Sequence, residues 1–128
     1  MPVYLFLLLL LLVPGMASAF DVTITGTQLR ADYKEPTLNK DGSPLADLGE
    51  TRVYYQAVGK SPAIGLTVPA SSVHGGQTVS GDVLVPIVAD QEADINFWAT
   101  ALDRTGNESA PSPTIQRRVD RLSPGSPE

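Results

Sequence analysis

The chain has 128 residues, no cysteine, 9 basic and 14 acidic side chains, and a net charge of −5. That balance lacks the basic stripe with which a nucleic-acid binder neutralises phosphates, and it disfavours an anionic membrane surface. Without cysteine there is no disulfide framework, no lipidated cysteine anchor and no thiolate metal site, so a domain of this size must be held by packing alone. In chain order, the first feature is an apolar, leucine-dominated run at residues 3–13, ended by Pro14 and Gly15 and followed by Ala17-Ser18-Ala19. Small residues in that arrangement are what a signal peptidase reads, so residues 1–19 are expected to be a secretory signal peptide. The run is shorter than the ~20 residues that cross a bilayer, and no stable membrane insertion is expected once it is cleaved. The rival reading keeps the segment as an uncleaved anchor, because no Lys or Arg precedes it. Residues 20–128 then suit one domain with one core.

The mature part reads as strands. Val22 and Ile24 alternate with polar residues, and so do Leu29, Ala31 and Tyr33. Pro36 ends the second strand, and residues 36–48 form a loop with an Asp41-Gly42 turn. The third strand is expected at 51–57, with Val53 and Tyr55 on one face and Arg52, Tyr54 and Gln56 on the other. A fourth spans 64–68, and a glycine-punctuated loop spans 70–78. Val83, Val85 and Ile87 alternate as a fifth strand, which Pro86 marks as an edge because it cannot donate to a ladder. Ile95, Phe97, Ala99 and Ala101 form one face of the sixth, residues 103–112 a turn, and 114–119 the seventh. The domain is expected over 20–120, with 121–128 a disordered Pro/Ser/Gly tail. Seven short strands with turn signals between them read as an all-β, seven-stranded antiparallel sandwich of the immunoglobulin-like kind.

Two stretches carry a family resemblance. Asp41-Gly42-Ser43-Pro44-Leu45 before Arg52-Val53-Tyr54-Tyr55, and Thr100-Ala101-Leu102-Asp103 before Gly106-Asn107-Glu108-Ser109, resemble bacterial and phage members of the fibronectin type III family. Val68-Pro69-Ala70-Ser71-Ser72 is similar to the segment that follows that family's fourth strand. The resemblance covers about residues 29–119. It implies a β-sandwich module that is usually a non-catalytic spacer, adhesion surface or binding domain. Three positions depart from the pattern. Tyr33 stands where a core Trp is usual, Thr51 where a Tyr begins the third strand, and Ile95 where a corner Tyr is usual.

No residue set calls for a cofactor, a metal or catalysis. His74 is the only histidine, and it lies beside Ser71 and Ser72 without a nucleophile motif. Asp90, Glu92 and Asp94 alternate, as do acceptors around Asp103, Asn107 and Glu108, but no ordered calcium loop surrounds either group. Asn107-Glu108-Ser109 is a glycosylation sequon that turn chemistry explains without sugar. The main binding candidate follows from parity. Tyr54 and Trp98 each alternate with core-facing neighbours on strands that adjoin in this fold, so they should share the outer face of one sheet. Arg52, Gln56, Asn96 and Thr100 would surround them. Such a face suits a surface glycan or a protein partner, and it also serves as a cross-strand pair that stabilises the sheet. A second candidate is the loop pole, with Lys40, Asp41, Arg104 and Asn107. The expected function is that of a secreted or periplasmic, cell-surface binding module for an extracellular protein or polysaccharide. A structural alternative is a spacer or coat component assembling through strand edges, and a hydrolase is a distant third.

Overall fold

The computed structural model describes residues 19–87 and 90–127. The apolar run at 3–13, and all of the Ala17-Ser18-Ala19 motif but its last residue, lie outside the described residues. Seven strands follow: β1 (Asp21–Thr25), β2 (Gln28–Lys34), β3 (Leu48–Ala57), β4 (Ala63–Pro69), β5 (Thr78–Asp82), β6 (Glu92–Asp103) and β7 (Ile115–Asp120). They form two antiparallel sheets, ordered β1-β2-β5 and β4-β3-β6-β7. Among the described residues there is no helix, and hence none long and apolar enough to cross a membrane. The fold is an immunoglobulin-like β-sandwich. Residues 121–127 carry no regular secondary structure.

Alternation places the core. Val22, Leu29, Ala31 and Tyr33 from one sheet meet Val53, Ile95, Phe97, Ala99 and Val119 from the other. Val53 and Phe97 are 0% exposed, which fixes the opposite parity of β3 and β6 on the outside. Both sides of the sandwich are stitched. On one, Arg117 Nε donates to the Val22 carbonyl at 2.9 Å and its Nη2 meets Asp21 at 2.7 Å, tying β7 to β1. On the other, the Leu84 amide donates to the Gly65 carbonyl at 3.0 Å. A Cβ on Gly65 would lie 2.6 Å from Val83 Cγ1, so only glycine lets the two sheets close there.

That stitch corrects the expected fifth strand. Val83, Val85 and Ile87 do face inward, Val83 at 3% exposure. Their backbone, however, belongs to no strand, and the ladder strand is five residues earlier, at Thr78–Asp82. The Val83 amide bonds to Leu29 O and the Leu84 amide to Gly65 O, so this segment crosses from one sheet to the other. Pro86 interrupts any ladder, and the Ile87 amide turns back to Val85 O. β5 is an edge strand, as a proline-bearing fifth strand was expected to be, but Pro86 is not in it. β3 starts at Leu48, three residues before the expected Thr51.

Two of the departures from the family pattern answer each other. The Tyr33 and Thr51 hydroxyls share a hydrogen bond of 2.6 Å across the core, both residues being almost fully buried. Burial pushes the Tyr33 phenol up, against the pull of that bond. Tyr33→Phe strands the Thr51 hydroxyl in the core and is expected to cost about 1–3 kcal/mol in urea unfolding. Adding Thr51→Val should recover most of the loss, because both polar partners are then gone. A double variant no more stable than Tyr33→Phe would refute the pairing.

Candidate functional site

The outer face of the four-stranded sheet is centred where β3 and β6 pair. Tyr54 stands directly opposite Trp98, and Arg52 opposite Thr100. Their neighbours Val53 and Phe97 fill the core, so strand alternation turns these four side chains outward. The Tyr54 and Trp98 rings stack with centroids 5.7 Å apart and planes 11° apart. At that centroid distance parallel rings are laterally offset, the favoured geometry for an aromatic pair. Both residues are half-buried. The shared face expected from parity is therefore present, with the rings in direct contact.

A hydrogen-bonded network adjoins the stack. Arg52 Nε donates to Glu50 at 2.7 Å, and Arg52 Nη1 reaches the Tyr54 hydroxyl at 3.5 Å. The Tyr54 and Thr100 hydroxyls both donate to one oxygen of Glu108, each at 2.6 Å. The Thr100 hydroxyl and then that of Tyr54 hold the Glu108 carboxyl below its ordinary range, so it stays ionised at neutral pH. Tyr54 and Glu50 in turn raise the Arg52 guanidinium. Gln56 is drawn to the Lys60 carbonyl at 2.9 Å, and Asn96 accepts from Gln116 at 3.2 Å. Thr100, expected as an exposed neighbour of the rings, is 7% exposed.

Sequence reasoning placed neither Glu50 nor Glu108 on this face. Glu50 shares the parity of Arg52 and Tyr54, and it was legible once β3 is extended back to Leu48. Glu108 arrives by a turn. Its bridge to Leu102, and the bonds from Ser109 N to Ala101 O and Ser112 N to Ala99 O, lay residues 108–112 beside β6. No alternation in the sequence announces that register.

The two loops of the expected pole are in contact. The Arg104 amide donates to the Asp47 carbonyl at 2.9 Å, joining the 36–48 and 103–112 loops. Asp41 and Asn107 are not free ligands there. Asp41 accepts from the Ser43 amide and hydroxyl at 2.9 and 2.6 Å, closing an Asx turn. Asn107 Nδ2 donates to Asp103 and to Thr105 at 2.8 and 3.0 Å. Lys40 and Asn107 both line an open groove of about 750 Å³ between these loops.

The remaining candidates are structural ties. His74 Nδ1–H donates to the Leu45 carbonyl at 3.1 Å, and the Ser72 hydroxyl accepts from the His74 amide. Glu92 and Asp94 clasp Arg118 at 3.0 and 3.1 Å, and Asp90 accepts from the Ser123 amide at 3.3 Å. Among the described residues no group of three metal-ligating side chains converges.

Asp103 accepts from the Asn107 and Thr105 side chains and backbone amides, and these bonds hold its carboxyl down to about 2. A carboxyl with a depressed folded-state value adds stability above its unfolded value of 3.8, and that stability is lost as pH falls toward 2. Asp103→Asn should therefore lose stability at neutral pH and show a shallower decline between about pH 4 and 2. Thermal unfolding across that window checks it. Parallel acid limbs in the two proteins would count against the turn.

No family model matches this chain, and neither a curated protein nor a solved structure matches it.

Proposed function

We propose that this chain is an exported, non-catalytic binding module whose outer sheet face takes a surface polysaccharide. The observation that carries this reading is the Tyr54–Trp98 stack set beside the Glu50–Arg52–Tyr54–Glu108 network. Aromatic rings suit the apolar C–H face of a sugar. Carboxylate and guanidinium groups already held in place suit its hydroxyls, with little ordering left to do on binding. Export rests on the leader at residues 1–19. Membership of the fibronectin type III family belongs to the same proposal. It is supported by the motifs at 41–55 and 100–109 and by a fourth strand that lies beside the third, where an antibody constant domain pairs it with the fifth. The fold itself names no ligand.

A protein partner is the second reading, favoured by one detail. Each ring turns one face to the other, and the resulting rigid Tyr, Trp and Arg knot has the composition that dominates protein–protein contacts. The deciding experiment is a titration of the protein with a panel of purified polysaccharides, following the emission of Trp98, the only tryptophan. One polysaccharide should shift the emission saturably, and Tyr54→Ala should weaken that binding. A panel without any response would remove the glycan reading. Sedimentation that shows concentration-dependent polymers would instead favour the edge-assembled spacer or coat component.

A further inference from the structure

The bond expected to be cut during export, Ala19–Phe20, adjoins the folded domain with no spacer. Ala19 is exposed and carries no secondary structure, but the next residue already belongs to the core. Phe20 is 8% exposed and packs on Tyr33, the ring centroids 6.1 Å apart. Asp21 opens β1, and its carboxylate accepts from the Val22 amide at 2.8 Å and from Arg117 Nη2 at 2.7 Å. Val22 is 0% exposed, and Arg117 Nε donates to its carbonyl at 2.9 Å. Asp21 and Val22 also stand in register with Asp32 and Ala31 of β2. All three residues after the bond are thus held, by packing, by charge or by the ladder. The other end of the domain differs: residues 122–127 are exposed and carry no regular structure, so cutting there requires no opening of a sheet. A peptidase takes the residues on both sides of a scissile bond in extended form and free of other partners. A bond inside a folded segment is therefore cut only through the opened population. Here opening must withdraw Phe20 and Val22 from the core and break both Arg117 ties.

We infer, on the reading of residues 1–19 as a cleavable leader, that the folded domain protects its own leader bond, so that the leader must be removed before β1 docks. A chain that is cut first is released, and a chain that folds first keeps the apolar run at 3–13 attached. The order of the two events, rather than the leader sequence alone, then decides between the released and the anchored form. What the outer sheet face binds has no bearing on this order.

The test compares rates of leader removal from the full 128-residue chain in detergent micelles, incubated with a purified leader peptidase and followed by the mass of the product. Val53→Asp/Phe97→Asp supplies the unfolded reference, because both side chains lie in the core while residues 1–22 are untouched. The parent should be cut roughly tenfold or more slowly than this reference. Arg117→Ala should speed cutting of the folded chain and change nothing in the Val53→Asp/Phe97→Asp background. A Gly-Ser-Gly-Ser spacer inserted between Ala19 and Phe20 should bring the folded chain to the reference rate. Thermal unfolding confirms that the parent, Arg117→Ala and spacer proteins are folded and that the reference is not. Equal rates in parent and reference overturn the inference and leave the leader reading standing. So does a resistance that the spacer fails to relieve. A reference chain left uncut removes the leader reading, and the inference with it.

Discussion

Gly75→Ala is expected to lower the unfolding free energy by about 3 kcal/mol, a large share of the 5–15 kcal/mol typical of one domain. Gly75 has φ +67, and a Cβ there would lie 2.0 Å from the Pro36 carbonyl oxygen. Two costs combine. Left-handed backbone costs an L-residue about 1–2 kcal/mol. The clash is with backbone, so it can be relieved only by moving the 36–48 loop, a further cost of about 1–3 kcal/mol. A gain of about 0.4–1 kcal/mol from the stiffer unfolded chain offsets part of this. The displaced loop also carries the Leu48 N–Val73 O bond of 2.9 Å and the His74–Leu45 tie. Gly59→Ala separates the two terms, because Gly59 has φ +83 and nothing within 4 Å of a built Cβ. It should cost about 1 kcal/mol. Equal losses in the two variants, measured by guanidinium unfolding, would mean that the approach to Pro36 carries no energy.

Trp98→Ala is expected to weaken polysaccharide binding by about thirtyfold to a thousandfold, the range of a central aromatic anchor. The same change should cost the fold far less than a core truncation. Trp98 is half-buried on the solvent side of β6, and its cross-strand partnership with Tyr54 is worth about 0.2–1 kcal/mol beyond Ala. Binding and stability should thus separate at this residue. Phe97, its neighbour in the chain and 0% exposed, should show the reverse balance, with Phe97→Ala costing about 3–5 kcal/mol of stability. Calorimetric titration is the appropriate measure, since the tryptophan signal is removed. Affinity within twofold of the parent would leave the Tyr54–Trp98 stack with a purely structural role.

The two outer aromatics illustrate how far local pattern carries. In a strand, parity is decided by steric alternation within a few residues, so Val53 and Phe97 facing inward forces Tyr54 and Trp98 outward. Their contact follows once β3 and β6 are neighbours. The same logic misplaced the fifth strand. Val83, Val85 and Ile87 alternate in burial just as a strand does, yet side-chain alternation reports only which way residues point. It does not report where the backbone amides find acceptors, and here these are Leu29 O and Gly65 O on opposite sheets. Tyr33 and Thr51 likewise read singly as weakened core positions, and only their contact across the core shows them as a pair.

By itself, then, the sequence determined the all-β character, six of the seven strands, the inward and outward faces of β3 and β6, and the loops that meet at the pole. These depend on period-two patterning and turn chemistry, which act over a few residues. Tertiary structure alone decided two things: the carboxylate of Glu108 beside Tyr54, and the groove that Leu38, Leu45 and Leu48 line between the loops of the pole. Each depends on which distant segments come to lie together, and that is set by sheet register and close packing around Gly65 and Gly75 rather than by any local signal.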